Sequence, residues 1–213
     1  MSSHKPAVIV AYGAWHEPAH FEPLAKVLRS KGYKVITVWL PSVHYEKLNQ
    51  PVPKGLVEDV EAIRGPALSE LNSNPDTDVL ILGHSSGSLP GSVAYQGLDK
   101  DARRSAGYSN GIHDVPVDEA QRWASMLKPF VFDANLAPVP YAGYLVVPTY
   151  FLLCEDDRAL GPDIQRYIVN EANKEMPEGK EVIVTSIQSG HSPFLSRVDE
   201  MADWVRRCAG EEF

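Results

Sequence analysis

The sequence predicts an α/β fold in which a mainly parallel β-sheet carries helices on both faces. Three observations carry that expectation. Short apolar runs rich in β-branched residues recur along the chain. Segments with apolar residues at helical spacing lie between them. Glycine, proline and asparagine–aspartate clusters mark most junctions. Because strands and helices alternate, the crossovers are expected to be right-handed.

Residues 7–12 (AVIVAY) form the first run and read as a buried strand stopping at Gly13. Residues 18–31 place Phe21, Leu24, Ala25, Val27 and Leu28 on one helical face, with Gly32 as the stop. Residues 33–40 (YKVITVWL) read as the next strand, and three prolines make residues 41–54 a loop. Apolar spacing over residues 56–71 predicts a helix that Pro66 should kink or divide. Residues 72–78 are a turn cluster, 78–82 a strand and 87–97 the helix after it. Residues 98–115 carry no clear pattern. Residues 117–127 look helical, with Pro116 suited to the start, and residues 128–146 are rich in proline and aromatics. Residues 147–154 (VPTYFLLC) form a strand, 162–173 a helix, 181–187 (EVIVTSI) a strand and 193–208 a final amphipathic helix.

A length of 213 residues suits one domain with a sizeable core. With 20 basic against 28 acidic residues the formal charge is −8, and no basic block stands out, so nucleic acid is not an expected partner. Two cysteines, Cys154 and Cys208, indicate no disulfide framework. The apolar run near the N-terminus is too short for a signal h-region or a membrane span. The expected location is the cytoplasm, with no membrane partner.

Residues 16–20 read HEPAH and fit H-E-x-x-H, a pattern that on a helix lets two imidazoles grip zinc. The helical context is missing here. The segment follows a strand end by three residues, and Pro18 lies between the histidines, where a helix tolerates proline only in its first turn. No third ligand stands at a recognisable spacing, so no metal and no cofactor are expected.

A second pattern has its context. Residues 79–88 (VLILGHSSGS) set G-x-S-x-G directly after an apolar strand and before a helix. The glycines suit a sharp turn that lifts the Ser85 hydroxyl above the sheet. A helix starting near Ser86 aims amide N–H groups at developing negative charge. Catalytic groups in open α/β sheets gather at the carboxyl ends of strands. His191, just after the strand 181–187, is therefore the best-placed base, and His113 is weaker. Three acids, Glu155, Asp156 and Asp157, follow the strand 147–154 and are candidates to orient the base.

The segments Tyr12-Gly13-Ala14-Trp15, GHSSG, CEDDRALGP and SGHSPFLS together resemble an α/β-hydrolase. The closer likeness is to the small esterase-like branch that includes plant methyl esterases and hydroxynitrile lyases. Their order, serine then acid then histidine, is the order of that fold. The resemblance implies Asp157, followed by Arg158-Ala159-Leu160-Gly161-Pro162, as the acid. It implies an oxyanion hole made by the N–H groups of Ala14 and Ser86, so that HEPAH becomes the tail of the oxyanion loop. Trp15, His16 and Trp123 are expected at the substrate, with Phe130, Tyr141 and Tyr144 as further aromatic walls.

The chain departs from the family after the nucleophile helix. Residues 97–108 have no apolar run, so the strand expected there should be shortened or missing, and the cap reduced to about 112–146. A partner subunit in a homodimer, a closer approach of the acid strand, or an irregular segment near 103–108 would fill the gap, since a bare strand edge is a liability. The expected reaction is hydrolysis of a small ester, thioester or lactone through a Ser-His-Asp triad and an acyl-enzyme. The alternatives are a lyase or cyclase using the same triad, and a ligand-binding relative without catalysis.

Overall fold

The computed structural model describes residues 5–74, 77–96, 104–107, 114–131, 133–136 and 138–213. β1 (Ala7–Ala11) and β3 (Val79–Gly83) are buried at every position, which is why neither shows polar alternation. β2 (Val35–Thr37) flanks β1, and β4 (Arg104–Gly107), β5 (Thr149–Cys154) and β6 (Ile183–Ile187) extend the sheet beyond β3. The order is β2-β1-β3-β4-β5-β6, and every pairing is parallel. The winding reverses between β1 and β3. Crevices in open α/β sheets form at such a switch point, at the carboxyl ends of the strands.

β4 is the shortened strand, one of the two alternatives expected after the nucleophile helix. The segment has no apolar run, yet Leu80 pairs with Arg104, and Ala106 with both Leu82 and Tyr150. Parallel pairing uses backbone N–H and C=O groups, so a polar stretch held between two strands can complete it. The strand is short but present, and the sheet closes within one chain. A partner subunit, a shifted acid strand or an irregular filler is not needed.

α1 (Glu22–Ser30) packs against α9 (Val198–Cys208), and α3 (Val57–Ser73) against α4 (Ser88–Ala94). Along β5 the side chains alternate. Leu152 and Cys154 join the main core, while Phe151 and Leu153 form a second cluster with Val169 of α7 (Pro162–Glu175). Both faces are therefore covered there, whereas β6 at the edge exposes residues 183–186.

Other boundaries also moved. The second strand spans three residues rather than eight, and the expected loop begins with a short helix, α2 (Pro41–His44). Pro66 does not divide α3. Ile63 and Ala67 on either side are buried in the core, and burying such apolar side chains, about 1.5–3 kcal/mol for an isoleucine, outweighs the lost hydrogen bond. The final helix breaks at Arg197 into α8 (Pro193–Ser196) and α9. Between β4 and β5 the described residues include α5 (Val117–Ser125) and α6 (Asp133–Leu136). Among the described residues no helix is long and apolar enough to cross a membrane.

Candidate active site

Ser85 leaves β3 on a turn with φ of 51°, in the left-handed region. That conformation costs a non-glycine residue about 1–2 kcal/mol and persists only where the surroundings enforce it. The enforcement is close backbone packing. A Cβ on Gly87 would lie 2.3 Å from the Tyr12 carbonyl oxygen, and one on Gly83 would lie 2.8 Å from the Ser88 Cα. Ser85 and Ser86 are both half-buried and reachable.

The loop after β1 is fastened to this turn at two successive amides. Gly13 N–H donates to His84 Nδ1 at 3.1 Å, and Ala14 N–H donates to the Ser86 hydroxyl at 2.7 Å. The resemblance aimed Ala14 N–H at a substrate oxygen, and here a side chain of the turn itself accepts it. Trp15 follows with φ of 66°, is 47% exposed, and meets the Phe130 ring edge-on at 6.0 Å. Lys128 N–H donates to the Trp15 carbonyl at 2.7 Å, tying the segment that follows residues 117–125 to this loop.

His191 and Asp157 are brought together and fully buried, with Nδ1 of the imidazole 2.7 Å from Oδ2. Asp157 Oδ1 accepts the N–H groups of Ala159 and Leu160 at 2.8 and 2.9 Å, and Oδ2 also accepts from the Gln165 amide at 3.1 Å. The other two acids turn outward, Glu155 to Arg166 and Asp156 to Arg158. Among the described residues no hydrogen bond joins Ser85 Oγ to His191. The His84 ring lies 5.2 Å from that of His191 and connects the turn to the base. His113 lies outside the described residues.

The two histidines of HEPAH do different work. His20, in a short 3₁₀ turn (Pro18–Phe21), has both ring nitrogens engaged: Nδ1 accepts Glu17 N–H and Nε2 donates to the Trp123 carbonyl. His16 donates through Nδ1 to the Ala14 carbonyl. The rings of His20, His16, His84 and His191 form a column with centroid spacings of 5.0, 5.0 and 5.2 Å. Burial pushes His16 down to about 4, against its hydrogen bond to Ala14, and burial pushes His84 well below the usual imidazole range. Both therefore stay neutral near pH 7, and neither places a fixed cation beside His191. Trp123 is buried against His20 at 5.5 Å, and Tyr144 lines a separate cavity between α4, β5 and α7.

Three residues with no motif of their own shape the site. Gln165 from α7 buttresses Asp157, and its Oε1 accepts Cys154 N–H. His84 holds Gly13. Asp114 Oδ2 accepts from Gly190 N–H at 2.6 Å, Ser189 Oγ at 2.9 Å and Ser196 Oγ at 2.6 Å, clamping the loop that carries His191. Only His84 had a local signal, its place inside G-x-S-x-G.

The arrangement agrees with what the chain is similar to. Residues 100–204 match the model of the α/β hydrolase family. An α/β hydrolase of Aspergillus novofumigatus is 25% identical over 97% of this chain and 98% of its own length. That alignment runs to 256 residues, longer than this chain, so the relative carries insertions. A probable hydrolase of a Phoma species is 32% identical over 35% of this chain and 30% of its own. Among solved structures, a pyrethroid hydrolase from Sphingobium faniae superposes with a TM-score of 0.68 at 19% identity, over 96% of this chain and 97% of that one. An Arabidopsis methylesterase reaches 0.69 at 16%, over 96% and 99%. Tomato methylketone synthase, complexed with 2-tridecanone, reaches 0.72 at 12%, over 97% and 98%. With a serine turn at the switch point of a parallel sheet and full-length superposition on these structures, the chain has the α/β-hydrolase fold, and about half of it matches the model of the α/β hydrolase family.

Proposed function

We propose that this protein is a serine hydrolase of small carboxylic esters, thioesters or lactones, working through Ser85, His191 and Asp157. The observation that carries the reading is the fully buried 2.7 Å His191–Asp157 pair at the same end of the sheet as a serine held at φ 51°. His191 Nε2 takes the Ser85 proton as Oγ attacks the carbonyl carbon. Asp157 fixes the imidazole tautomer and stabilises its cation. The carbonyl electron pair moves to oxygen, and the oxyanion is held at the junction of the β1 loop and the elbow. The tetrahedral adduct expels the alcohol, which takes the proton from His191, and water then hydrolyses the acyl-enzyme. The described residues of the segment expected as the reduced cap, about 112–146, cover this end of the sheet, with Trp15 and Phe130 at its edge. The hydrolases and esterases among the fold neighbours support this class of chemistry.

A second reading is favoured by one observation, that Ser85 Oγ and His191 are not hydrogen-bonded. In that reading His191 works as acid–base in a lyase or cyclase reaction, and no lasting acyl-enzyme forms.

Turnover of a short-chain p-nitrophenyl ester by wild type and Ser85→Ala, each with and without chelator, tests the proposal. Loss of turnover in the variant, insensitivity to chelator and a pre-steady-state burst support acyl transfer. Turnover that survives in the variant overturns it. Turnover that needs Ser85 but shows no burst and no covalent labelling favours the second reading.

A further inference from the structure

The Ala14 N–H is expected to face the substrate oxygen, yet it donates to Ser86 Oγ at 2.7 Å. An amide has one hydrogen, so while that bond stands the group cannot serve the oxyanion at full strength. Either the Ser86 side chain swings away when substrate arrives, or it stays and does the work itself. A hydroxyl has one donor and two acceptor sites, so accepting from Ala14 leaves the Ser86 O–H free to donate. Accepting a hydrogen bond also polarises that O–H and makes it a better donor.

We propose that the Ser86 hydroxyl is a catalytic residue of the oxyanion hole, with Ala14 N–H as its backing donor. This inference rests on the proposed acyl transfer.

Three features support a fixed hydroxyl rather than a swinging one. The loop that supplies Ala14 is held on both sides of it: Gly13 N–H is bound by buried His84, and the Trp15 carbonyl by Lys128 N–H. His16 donates to the Ala14 carbonyl from within the buried histidine column. Ser86 sits on the strained turn next to Ser85, beside a small cavity lined by Leu40, Val43 and Phe130 together with Ser42 and Asp59. Breaking the bond would take from the N–H of buried Ala14 the one acceptor the structure gives it, and an orphaned buried donor costs about 1–3 kcal/mol.

In the step itself, the Ser85 Oγ–carbon bond forms, the Ser85 proton passes to His191 Nε2, and the carbonyl π pair moves to oxygen. That oxygen accepts from the Ser86 N–H and the Ser86 O–H. The Ser86 proton is shared and never transferred. On collapse the C=O bond re-forms, the leaving oxygen departs with the proton from His191, and the Ser86 O–H returns to its resting state.

The test measures kcat, KM and melting temperature on a p-nitrophenyl ester for wild type, Ser86→Ala and Ser86→Thr, with Ser85→Ala and fluorophosphonate labelling as controls. Removing one oxyanion donor lowers kcat about 10²–10³-fold. Ser86→Ala should show such a fall with KM within about threefold, because the bond matters only as charge develops. Ser86→Thr keeps the hydroxyl and should recover at least tenfold of the loss. Unchanged or increased kcat in Ser86→Ala, with wild type active and labelled at Ser85, overturns this inference alone and makes the hydroxyl a plug. An equal loss in Ser86→Ala and Ser86→Thr, with a lowered melting temperature, also overturns it and leaves a structural role. Wild type that neither turns over nor labels refutes both this inference and the acyl-transfer reading.

Discussion

Replacing Asp114 with alanine tests how the His191 loop is held. Asp114 Oδ2 receives three donors, and two of them have alternatives. Ser189 Oγ also lies 3.0 Å from the Gly190 carbonyl and 3.1 Å from Ser196 Oγ, and Ser196 Oγ lies 3.4 Å from the Ser192 carbonyl. Gly190 N–H, in a buried residue, has no other acceptor among the hydrogen bonds of the described residues. The substitution therefore orphans one donor and weakens two hydroxyl bonds. An orphaned buried donor costs about 1–3 kcal/mol and each weakened bond about 0.5 kcal/mol, so Asp114→Ala should lose about 2–4 kcal/mol. Asp114→Asn retains an acceptor and should lose less. Urea melts at constant m-value read the loss, and a chain of this size should melt about 2–4 °C lower per kcal/mol. Because Gly190 immediately precedes His191, kcat should fall with the stability, more than KM changes. The pH dependence has a definite sign. Burial opposes ionisation of Asp114, but the bonds from Ser196, Gly190 and Ser189 outweigh it and hold the carboxyl below its ordinary value. A depressed carboxylate adds stability above the unfolded value of about 4 and loses it as pH falls through the folded one. The gap between wild type and Asp114→Ala should therefore shrink below pH of about 4. A variant within about 0.5 kcal/mol of wild type at pH 7 would refute the reasoning.

Gly87→Ala puts a methyl 2.3 Å from the Tyr12 carbonyl oxygen, at the end of a strand paired on both sides, so it should cost more than about 3 kcal/mol or prevent folding; an unchanged urea midpoint would contradict this. Asp157→Asn keeps the shape of the acid but favours the wrong imidazole tautomer, and ester turnover should drop by about 10⁴ while the far-ultraviolet spectrum stays the same. His16 is buried neutral, with its pKa lowered to about 4, so the unfolded chain binds its proton first as pH falls below about 6.5. Stability should decline from pH 6.5 toward 4 by up to about 3 kcal/mol from this group, and urea melts across that range should give a shallower slope for His16→Asn.

Much of the fold was legible because it rests on local pattern. The runs AVIVA and VLILG are buried on both faces and carry that burial in their composition. The elbow was legible for a similar reason, since close backbone approach at residues 83 and 87 admits only glycine. β4 was not legible. Its pairing runs through backbone groups that every residue has, and its place depends on β3 and β5 standing on either side. The short α2 and the break at Arg197 likewise follow from packing rather than periodicity.

Within the site, the sequence by itself determined the serine turn, the order of serine, acid and histidine along the chain, and the strand ends from which they come. The resemblance singled out Asp157 among the three acids; only the tertiary structure shows that it is Asp157 that meets His191, while Glu155 and Asp156 turn to arginines, because all three follow the same strand and differ in which way the turn faces them. It alone brought Asp114 to the His191 loop across 76 residues, and His84 to Gly13 across 71. Hydrogen bonds depend on distance in space, which a linear pattern records only for near neighbours; the column of four histidines exists because three separate segments, carrying His16 and His20, His84, and His191, converge at the switch point of one parallel sheet.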